Sequence, residues 1–475
     1  MPEPRLWQLT AGSAVLGLVL AAGAVAAAGP WDNGQRKAER AEAVAAERTG
    51  GAHHAAARAA EGLPAAPEPA PSAPAVLGPL GAGTPAAAAA AGRPADLAAV
   101  LVPLLGNPGL GPLRTASVVD VATGKQLYGQ GAATPMTPAS TVKIATAAAA
   151  LTALGPGHRI PTTVTAAPDG RRVTLTGGGD PTLDRAGLRR LAAGTARALR
   201  DRGVAQVTLT YDTSRYTGPA VHPIGPNENI APVSALMLDE GRTDGSTSGP
   251  APRSADPAGD TAAAFAALLR RAGVTVQGAP TAGRAPAGST TVARTYSRPL
   301  AALVERMLTN SDNDLAEALA RQTALKAKKP ASFAGAQQAV RDRLESIGVP
   351  VAGARLADGS GLDRNDRLSA AALTTILTRA ADPARPELRP VLTGLPVGGF
   401  TGTLAGRYAD PAATPGAGTV RAKTGTLTGV NTLAGTVVTA DGRLLAFAFL
   451  AGRTPSPYAA QPALDRLSAA LAPNG

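Results

Sequence analysis

A serine stands three residues before a lysine at the start of an alanine-rich run, PASTVKIATAAAA, at 138–150. Positions i and i+3 share one face of a helix, so the Lys143 amine can reach the Ser140 hydroxyl. A free serine hydroxyl is a poor nucleophile, and a buried lysine has a lowered pKa that lets it act as the base. The alternative is a plain helix cap, because serine and threonine are common at helix starts.

A second stretch, LTNSDNDLAEALA at 308–320, holds residues that suit the same chemistry. Ser311 can relay a proton, and Asn313 can hold a substrate amide. Ser, Asp and Asn are also the residues that begin helices and form turns. Taken alone, the stretch therefore favours a capped helix start over a site.

A third stretch, VRAKTGTLTGV at 420–430, has the character of a strand. Lys423 gives that strand a fixed positive charge, and Thr424 and Thr426 point to the same side of it. Gly425 lets a substrate backbone approach closely. This combination suits an anionic carboxylate, and the alternative is a polar edge strand.

The three stretches occur in the order Ser-x-x-Lys, Ser-Asp-Asn, Lys-Thr-Gly, and they contain two of the seven lysines. This trio is the signature of class A β-lactamases and penicillin-binding proteins. The sequence resembles the D-alanyl-D-alanine carboxypeptidase/endopeptidase family, the low-molecular-mass class C penicillin-binding proteins, over about residues 97–470. The long gap of 171 residues between the first two motifs fits that family, as do four further stretches: GGGDPTL (177–183), NIAPVSALMLDEG (229–241), DGSGLDRNDRLSA (358–370) and GFTGTLAGR (399–407).

The resemblance implies a fold of the α+β/α/β class, a β-lactamase/transpeptidase-like domain with an antiparallel sheet flanked by helices. A smaller inserted domain is expected between the first and second motifs. We assign 97–157 and 290–475 to the catalytic domain and 158–289 to the insert. Because 171 residues are few for the two inserted domains common in the family, we expect one domain or a trimmed pair.

The resemblance also implies a serine-type D-Ala-D-Ala carboxypeptidase or endopeptidase that acts on peptidoglycan stem peptides and is acylated by β-lactams. The catalytic residues it implies are Ser140, Lys143, Ser311 and Lys423. The substrate-binding residues it implies are Asn313, Thr424, Gly425 and Thr426. It implies no metal and no cofactor. The choice between carboxypeptidase and endopeptidase stays open, because it depends on how the insert meets the peptide.

Two other functions compete with this interpretation. A β-lactamase is disfavoured because the chain lacks the Glu-x-x-Leu-Asn stretch that holds the deacylating glutamate in class A enzymes. A wall-binding or β-lactam-sensing protein without turnover is disfavoured because all three motifs are intact.

Two other residue groups could carry chemistry but fit it poorly. A Ser–His–Asp triad through His158 or His222 is a weak hypothesis, because the chain has four histidines and no Gly-x-Ser-x-Gly. The aspartates of DGSGLDRNDRLS lack calcium-loop spacing. We interpret that stretch as a structural loop near the site, in which Gly359 and Gly361 take positive φ.

Composition and the first hundred residues bound the remaining possibilities. Aromatic residues make up 3% of the chain, which predicts a core of Ala, Val and Leu, and the absence of cysteine excludes disulfides and thiolate nucleophiles. The net charge of +12 comes from scattered arginines without basic–aromatic interleaving, which disfavours nucleic-acid binding. The uncharged run 11–29 places a signal peptide or membrane anchor at 1–31, so either way the protein is exported, and 32–96 is an Ala/Pro-rich linker.

Periodicity predicts the order of the remaining elements. Strands are expected over 115–131, 160–177, 204–212 and 274–276, and again as two or three strands over 419–451. Helices are expected over 186–202, 261–272 and 460–471, and the region from 299 to 378 should be mainly helical.

Overall fold

The computed structural model describes residues 96–474. The predicted signal peptide or anchor, and nearly all of the predicted linker, lie outside these residues. Between 96 and 474, none of the helices combines the length and the apolar character needed to cross a membrane.

The strands of the described chain fall into two sheets. In chain order they are β1 (Leu113–Asp120), β2 (Gln126–Gln130), β3 (Pro161–Ala166), β4 (Arg172–Thr176), β5 (Gln206–Asp212), β6 (Thr275–Ala282), β7 (Thr290–Tyr296), β8 (Val420–Leu427), β9 (Val430–Val438) and β10 (Leu444–Gly452). The strands that the sequence predicts are confirmed, and β7 is an addition that no sequence pattern indicated.

Helices begin mostly at residues whose side chains accept a hydrogen bond from the first turn, as Asp184, Asp312 and Ser369 do. They are α1 (Leu97–Leu105), α2 (Lys143–Leu154), α3 (Arg185–Arg200), α4 (Pro257–Arg271), α5 (Leu300–Asn310), α6 (Asn313–Lys326), α7 (Phe333–Ser346), α8 (Ala370–Ala381), α9 (Arg389–Thr393), α10 (Pro457–Ala469) and α11 (Leu471–Asn474). The helices that the sequence predicts are confirmed within a few residues.

The first sheet has five antiparallel strands in the order β2-β1-β10-β9-β8. Along β10, Ala446 and Ala448 face one side, and Phe447 and Phe449 face the other, as the two-residue repeat of a strand requires. Helices α2, α5, α6, α7 and α8 cover the alanine side, and α1 and α10 cover the phenylalanine side. The predicted antiparallel sheet flanked by helices is therefore confirmed.

Small side chains let α2 lie close to this sheet. The alanines of α2 from Ala145 to Ala150 are all fully buried and meet Ala434, Ala446 and Ala448 of the sheet in one core cluster. Alanine has the highest helix propensity, and the run ends where Gly155 adopts a positive φ of 82°. The core is built mainly of Ala, Val and Leu, as the low aromatic content predicts.

The second sheet is mixed, with the strand order β6-β5-β4-β3-β7. Strand β3 runs antiparallel to β4 and β7, whereas β5 runs parallel to β4 and β6. Helices α3 and α4 pack on it through Leu191, Leu199, Phe265 and Leu269. This sheet has its own core cluster, separate from the two that flank the first sheet.

The chain enters and leaves the second sheet at adjacent points. The Ile160 N–H donates to the Ser297 hydroxyl at 2.9 Å, and the Ser297 N–H donates to the Ile160 carbonyl at 2.9 Å. Neighbouring ends are what an insertion into a parent domain requires. Because β7 pairs with β3, we propose that the insert predicted over 158–289 extends to about residue 297.

Candidate active site

Ser140 lies in a short 3₁₀ turn, Ala139–Val142, that leads directly into α2. Ala139 has φ 47°, a conformation that residues with a Cβ seldom adopt and that marks local strain. The Pro138 carbonyl accepts hydrogen bonds from Thr141 at 2.6 Å and from Thr432 of β9 at 2.8 Å, which fix the turn against the sheet. No side chain caps α2, so the simple capping explanation for Ser140 is wrong.

Lys143 is 0% exposed, and its Nζ contacts three acceptors. They are Ser140 Oγ at 3.0 Å, Asn313 Oδ1 at 2.7 Å and the Ser360 carbonyl at 2.6 Å. Burial lowers the pKa of Lys143 to about 8, although nearby carboxyl groups, Asp358 foremost, act to raise it. A lysine with this pKa is neutral in a useful fraction of molecules near neutral pH.

The two acceptors other than serine orient the neutral amine. A carbonyl oxygen and an amide oxygen can only accept, so Ser360 and Asn313 take the two N–H bonds of a neutral Lys143. The remaining lone pair then faces Ser140 Oγ, where it can receive the hydroxyl proton. Asn313 is held in this orientation because its Nδ2 donates to the Asn229 carbonyl at 3.0 Å.

The Ser-Asp-Asn stretch forms the turn between α5 and α6. Ser311 ends α5 in the left-handed region, with φ 59° and ψ 38°, and Asp312 accepts from the Leu315 N–H as the N-cap of α6. Among residues 96–474, no side chain or backbone group hydrogen-bonds to the Ser311 hydroxyl, and the side chain is half-buried. The stretch is therefore both a capped helix start and part of the site, because Asp312 caps α6 and Asn313 contacts Lys143.

Lys423 is fully buried in β8, and its Nζ donates to the Thr424 carbonyl at 2.7 Å. Burial, reinforced by the positive charge of Lys143, holds the pKa of Lys423 well below its usual range. The Thr424 hydroxyl donates to Thr403 at 2.8 Å, and Thr426 is exposed. The predicted lysine within a strand is present, next to the first motif, but its lowered pKa disfavours the fixed positive charge that the sequence predicts.

Gly425 lies against the turn that carries Ser140, whereas the sequence predicts a substrate backbone beside it. A Cβ at this position would meet Thr432 Oγ1, the Pro138 carbonyl at 2.7 Å and Ala139 Cβ at 3.2 Å. The close approach in this structure is thus to the turn that carries Ser140. Packing against this turn explains the glycine in the structure, and a role of Gly425 beside a substrate backbone stays a prediction.

The loop that contains Ser360 lies at the site, as the sequence predicts, but its contact with Lys143 is one that sequence reasoning missed. Gly361 has φ 83°, as predicted, and a Cβ there would collide with the Ala139 carbonyl and lie 2.9 Å from the Ser140 nitrogen. Gly359 does not have a positive φ, so that prediction is wrong. A Cβ on Gly359 would meet α6 at 2.8 Å, which explains the glycine by packing.

The other missed contacts come from stretches whose resemblance to the family was noted without a role for each residue. Asn229 belongs to 229–241 and Thr403 to 399–407. Ser360 and Asn229 act through backbone carbonyls, which every residue type has, so no side-chain pattern could have identified them.

The two histidines do not form a triad with Ser140. His158 lies in the loop before β3, and burial lowers its pKa. His222 is buried, and its Nε2 lies 2.9 Å from Asp358 Oδ2.

Two buried clusters within residues 96–474 have the ligand geometry of a metal site, and arginines compensate both. One comprises His222, Glu317 and Asp358, and the other Glu240, Asp312 and Asp314. Glu317 pairs with the buried Arg321, and the second cluster pairs with three arginines: Arg242, Arg253 and Arg306.

A family model covers nearly all of the described chain. The model of the D-Ala-D-Ala carboxypeptidase 3 (S13) family matches residues 97–252 and 244–471. The site unites a serine, a lysine of lowered pKa and a second buried lysine on a sheet flanked by helices, which defines the class of serine-type acyl-transfer enzymes. The chain belongs to the D-Ala-D-Ala carboxypeptidase 3 (S13) family and is a serine-type D-Ala-D-Ala carboxypeptidase of the penicillin-binding type.

Relatives and solved structures agree with that assignment. The chain is 40% identical to "Carboxypeptidase DacB" of Mycolicibacterium smegmatis, over 87% of this chain and 90% of the relative. It is 39% identical to "Carboxypeptidase Rv3627c" of Mycobacterium tuberculosis, over 84% of this chain and 87% of the relative. Its fold matches penicillin binding protein 4 (dacB) from Haemophilus influenzae with a TM-score of 0.66 and 22% identity, over 76% of this chain and 97% of that one.

Proposed function

We propose that the protein is an exported carboxypeptidase or endopeptidase. It hydrolyses peptidoglycan stem peptides at D-alanine through an acyl-enzyme on Ser140. The observation that carries the proposal is the contact between Lys143 Nζ and Ser140 Oγ, 3.0 Å long and with the lysine fully buried. A base with a lowered pKa beside a serine hydroxyl is the arrangement that makes serine nucleophilic.

The first half of the proposed reaction forms the acyl-enzyme. Ser140 Oγ attacks the carbonyl carbon between two D-alanines, and its proton passes to Lys143 Nζ. Backbone N–H groups of Ser140 and Thr426 stabilise the oxyanion that forms. As the C–N bond breaks, the leaving nitrogen takes a proton through Ser311, assisted by Lys423.

Substrate binding completes the proposed site. Thr424 and Thr426 lie on the same side of β8 and bind the terminal carboxylate, beside the Lys423 side chain and Gly425. Asn313 orients the amide on the acyl side of the scissile bond. Water then attacks the ester carbonyl and gives a proton to Lys143, which passes it to Ser140 Oγ as the C–O bond to the serine breaks.

β-Lactams are proposed to acylate the same serine. Their ring presents a strained amide beside a carboxylate, which resembles the D-Ala-D-Ala end in shape and charge. The Haemophilus influenzae protein that shares the fold has also been crystallised in a complex with a β-lactam.

Mass spectrometry after penicillin treatment tests the nucleophile. The full chain should gain one penicilloyl adduct on the peptide that contains Ser140, Ser140→Ala should gain none, and the exposed Ser214→Ala should behave as the parent. An adduct on Ser140→Ala would refute the assignment. Release of D-alanine from a pentapeptide separates the enzyme from a sensor, and rapid turnover of a chromogenic cephalosporin would indicate a β-lactamase.

The export signal is a separate proposal. The family consists of exported cell-wall enzymes, and the uncharged run 11–29 supports a signal peptide or anchor in this chain. N-terminal sequencing of the exported protein decides between cleavage near residue 31 and retention of the segment in the membrane.

A further inference from the structure

A histidine from the inserted region lies behind the lysine of the active site. His222 belongs to the segment between β5 and α4, and its side chain is 1% exposed. Its Nδ1 accepts from the Ile224 N–H at 3.3 Å, which assigns the ring hydrogen to Nε2. The Nε2–H therefore donates to Asp358 Oδ2 at 2.9 Å.

Asp358 holds the loop that contacts both the nucleophile and the base. Its carboxylate accepts from the backbone N–H groups of Ser360, Gly361 and Asp363 at 2.6 to 3.1 Å, and from the Ser360 hydroxyl at 3.0 Å. The same loop presents the Ser360 carbonyl to Lys143 Nζ. A shift of Asp358 would thus move an acceptor that orients the Lys143 lone pair.

A second carboxyl group clamps Asp358 from within the loop. Asp366 Oδ1 accepts from the Ala357 N–H at 2.6 Å, and its buried Oδ2 has no donor among the described residues. Burial and the negative charge of Asp358 raise the pKa of Asp366 to about 10, which favours its neutral form. The Asp358 N–H also donates to Asp366 Oδ1 at 3.4 Å. His222 is the donor to Asp358 from outside this loop.

We propose that His222 is a positioning residue for the reaction: its Nε2–H fixes Asp358, and so fixes the Ser360 carbonyl that aims Lys143 at Ser140. The inference rests on the proposed role of Lys143 as the base. It gives the inserted region a part in the chemistry, because the segment that supplies His222 also supplies the Asn229 carbonyl that holds Asn313.

The surroundings of His222 separate this role from plain packing. Its ring meets the Phe333 ring edge-on, with 5.2 Å between centroids, and the Arg321 guanidinium lies over the Phe333 ring, 4.2 Å from its centroid. A change at Phe333 disturbs that packing without removing the bond to Asp358. A change at His222 can remove the bond while keeping a polar side chain.

The experiment compares His222→Asn with His222→Gln. An Asn amide lies near the Nδ1 position and can keep the Ile224 contact, but it is too short to reach Asp358. A Gln amide reaches the Nε2 position and can donate as His does. Phe333→Leu is the packing control, and thermal unfolding of all three variants shows that they are folded.

The readout is the rate constant of acylation by a fluorescent penicillin as a function of pH. Groups that face Lys143 are the carboxyls of Asp312 and Glu317 from α6, those of Asp358 and Asp366 from the loop, and the amine of Lys423 from β8. His222→Asn alters none of these residues themselves. It withdraws the Ser360 carbonyl from an ammonium, which disfavours the charged form of Lys143.

We expect His222→Asn to slow acylation by about 10²-fold, because the Lys143 amine is no longer oriented toward Ser140. The midpoint of the pH profile should fall below that of the parent, because the ammonium form of Lys143 loses the Ser360 carbonyl as an acceptor. His222→Gln should keep the parent midpoint with a rate within about threefold, and Phe333→Leu should keep the midpoint. A folded His222→Asn with the parent rate and midpoint overturns the proposal. If His222→Asn does not fold, a folded His222→Gln that is slow and shifted overturns it instead.

Failure of the role proposed for His222 can be told apart from failure of the proposed function. If the parent chain is acylated on Ser140 and the His222 variants match it, only the positioning role fails. If Ser140→Ala is still acylated, the proposed nucleophile fails whatever the His222 variants do.

Discussion

The ammonium group of Lys143 has three hydrogens, and each finds an acceptor in a different part of the chain. Ser140 is one helical turn away, Asn313 begins α6, and Ser360 lies in the loop after α7. Two of these acceptors cannot donate, so the loss of one proton leaves a lone pair directed at the serine. In the proposed mechanism, the state of one proton on Lys143 therefore decides whether Ser140 is activated.

The pH profile of acylation should report that proton. Because burial lowers the pKa of Lys143 to about 8, the neutral amine increases about tenfold per pH unit below pH 8 and levels off above it. We expect the acylation rate constant for a fluorescent penicillin to follow the same curve between about pH 6 and pH 10. A rate that stays flat across this range would contradict Lys143 as the base.

Asn313→Asp should move the same curve in a known direction. A carboxylate at 2.7 Å from Nζ favours the ammonium and should raise the pKa of Lys143 by about 1 to 2 units. Acylation near pH 7 should fall by about tenfold or more and recover at higher pH. Asn313→Ala is the control, since it removes the contact without adding charge and should not move the midpoint upward.

At this scale the sequence predicts some contacts and misses others for a physical reason. The Ser140–Lys143 contact follows from helical spacing, and Asn313 is suggested by its residue type. Ser360 and Asn229 contribute only backbone carbonyls, so their residue types carry no signal. His222 is buried by contacts far apart in sequence, and its partner is known only once the fold brings Asp358 to it.

Strand β8 and the loop that contains Ser360 both pack against the turn before α2, because each has a glycine at the point of contact. Gly425 lies against Pro138 and Ala139, and Gly361 lies against Ala139 and Ser140 from the other loop. A methyl group at either position would displace the turn whose strained residue, Ala139, precedes the nucleophile. These contacts belong to elements, since each one joins a strand or a loop to the start of a helix.

Gly425→Ala should therefore affect both stability and reaction. Forcing a Cβ into this contact should lower the free energy of unfolding by about 1 to 3 kcal/mol. Displacing Ser140 by about 1 Å should slow acylation by about 10²-fold. Denaturant unfolding and labelling by a fluorescent penicillin measure the two effects.

Gly157→Ala is the matched control. It is an exposed glycine without a positive φ, and no atom lies within 4 Å of the position that a Cβ would occupy there. Both its stability and its acylation rate should equal those of the parent. Unchanged acylation in Gly425→Ala would show that the turn tolerates the displacement.

The elements of the first sheet were predictable because their periodicity is strong, as the alternation of β10 illustrates. Strand β7 was not, because its residues TTVARTY are largely exposed or half-buried and give no clear apolar face. Its partner is β3, far earlier in the chain, and only the fold reveals the pairing.

The inserted region and the catalytic part are joined by buried charges as well as by His222. Glu240 pairs with Arg242 and with Arg306 of α5, and Arg306 also lies 3.3 Å from Asp312 in the second motif. A buried pair of charges is costly to separate, since each partner would be left uncompensated. The described chain should therefore unfold as one unit.

A chain shortened to residues 93–475 should test that expectation. The three core clusters and all three motifs lie within it, so we expect one unfolding transition and an acylation rate within about twofold of the full chain. Calorimetry and penicillin labelling provide the measurements. Two separate transitions would show that the buried ion pairs do not couple the sheets.

A further shortening to residues 111–475 is the contrasting variant. It removes α1, whose Leu97, Leu101 and Leu105 are buried against the first sheet. Loss of these three side chains should cost about 2 kcal/mol each, which is enough to destabilise the fold measurably. Equal stability of the two shortened chains would contradict the assignment of α1 to the core.

Strand β1 pairs with β10 along its whole length, from Leu113 with Gly452 to Asp120 with Leu445. The sheet beneath the nucleophile therefore cannot close until almost the entire chain has been synthesised. Pairings this distant in sequence form late in folding. Labelling of Ser140 would then report the completion of folding. A partly synthesised chain should not react with penicillin, and labelling should begin only after β10 has paired with β1.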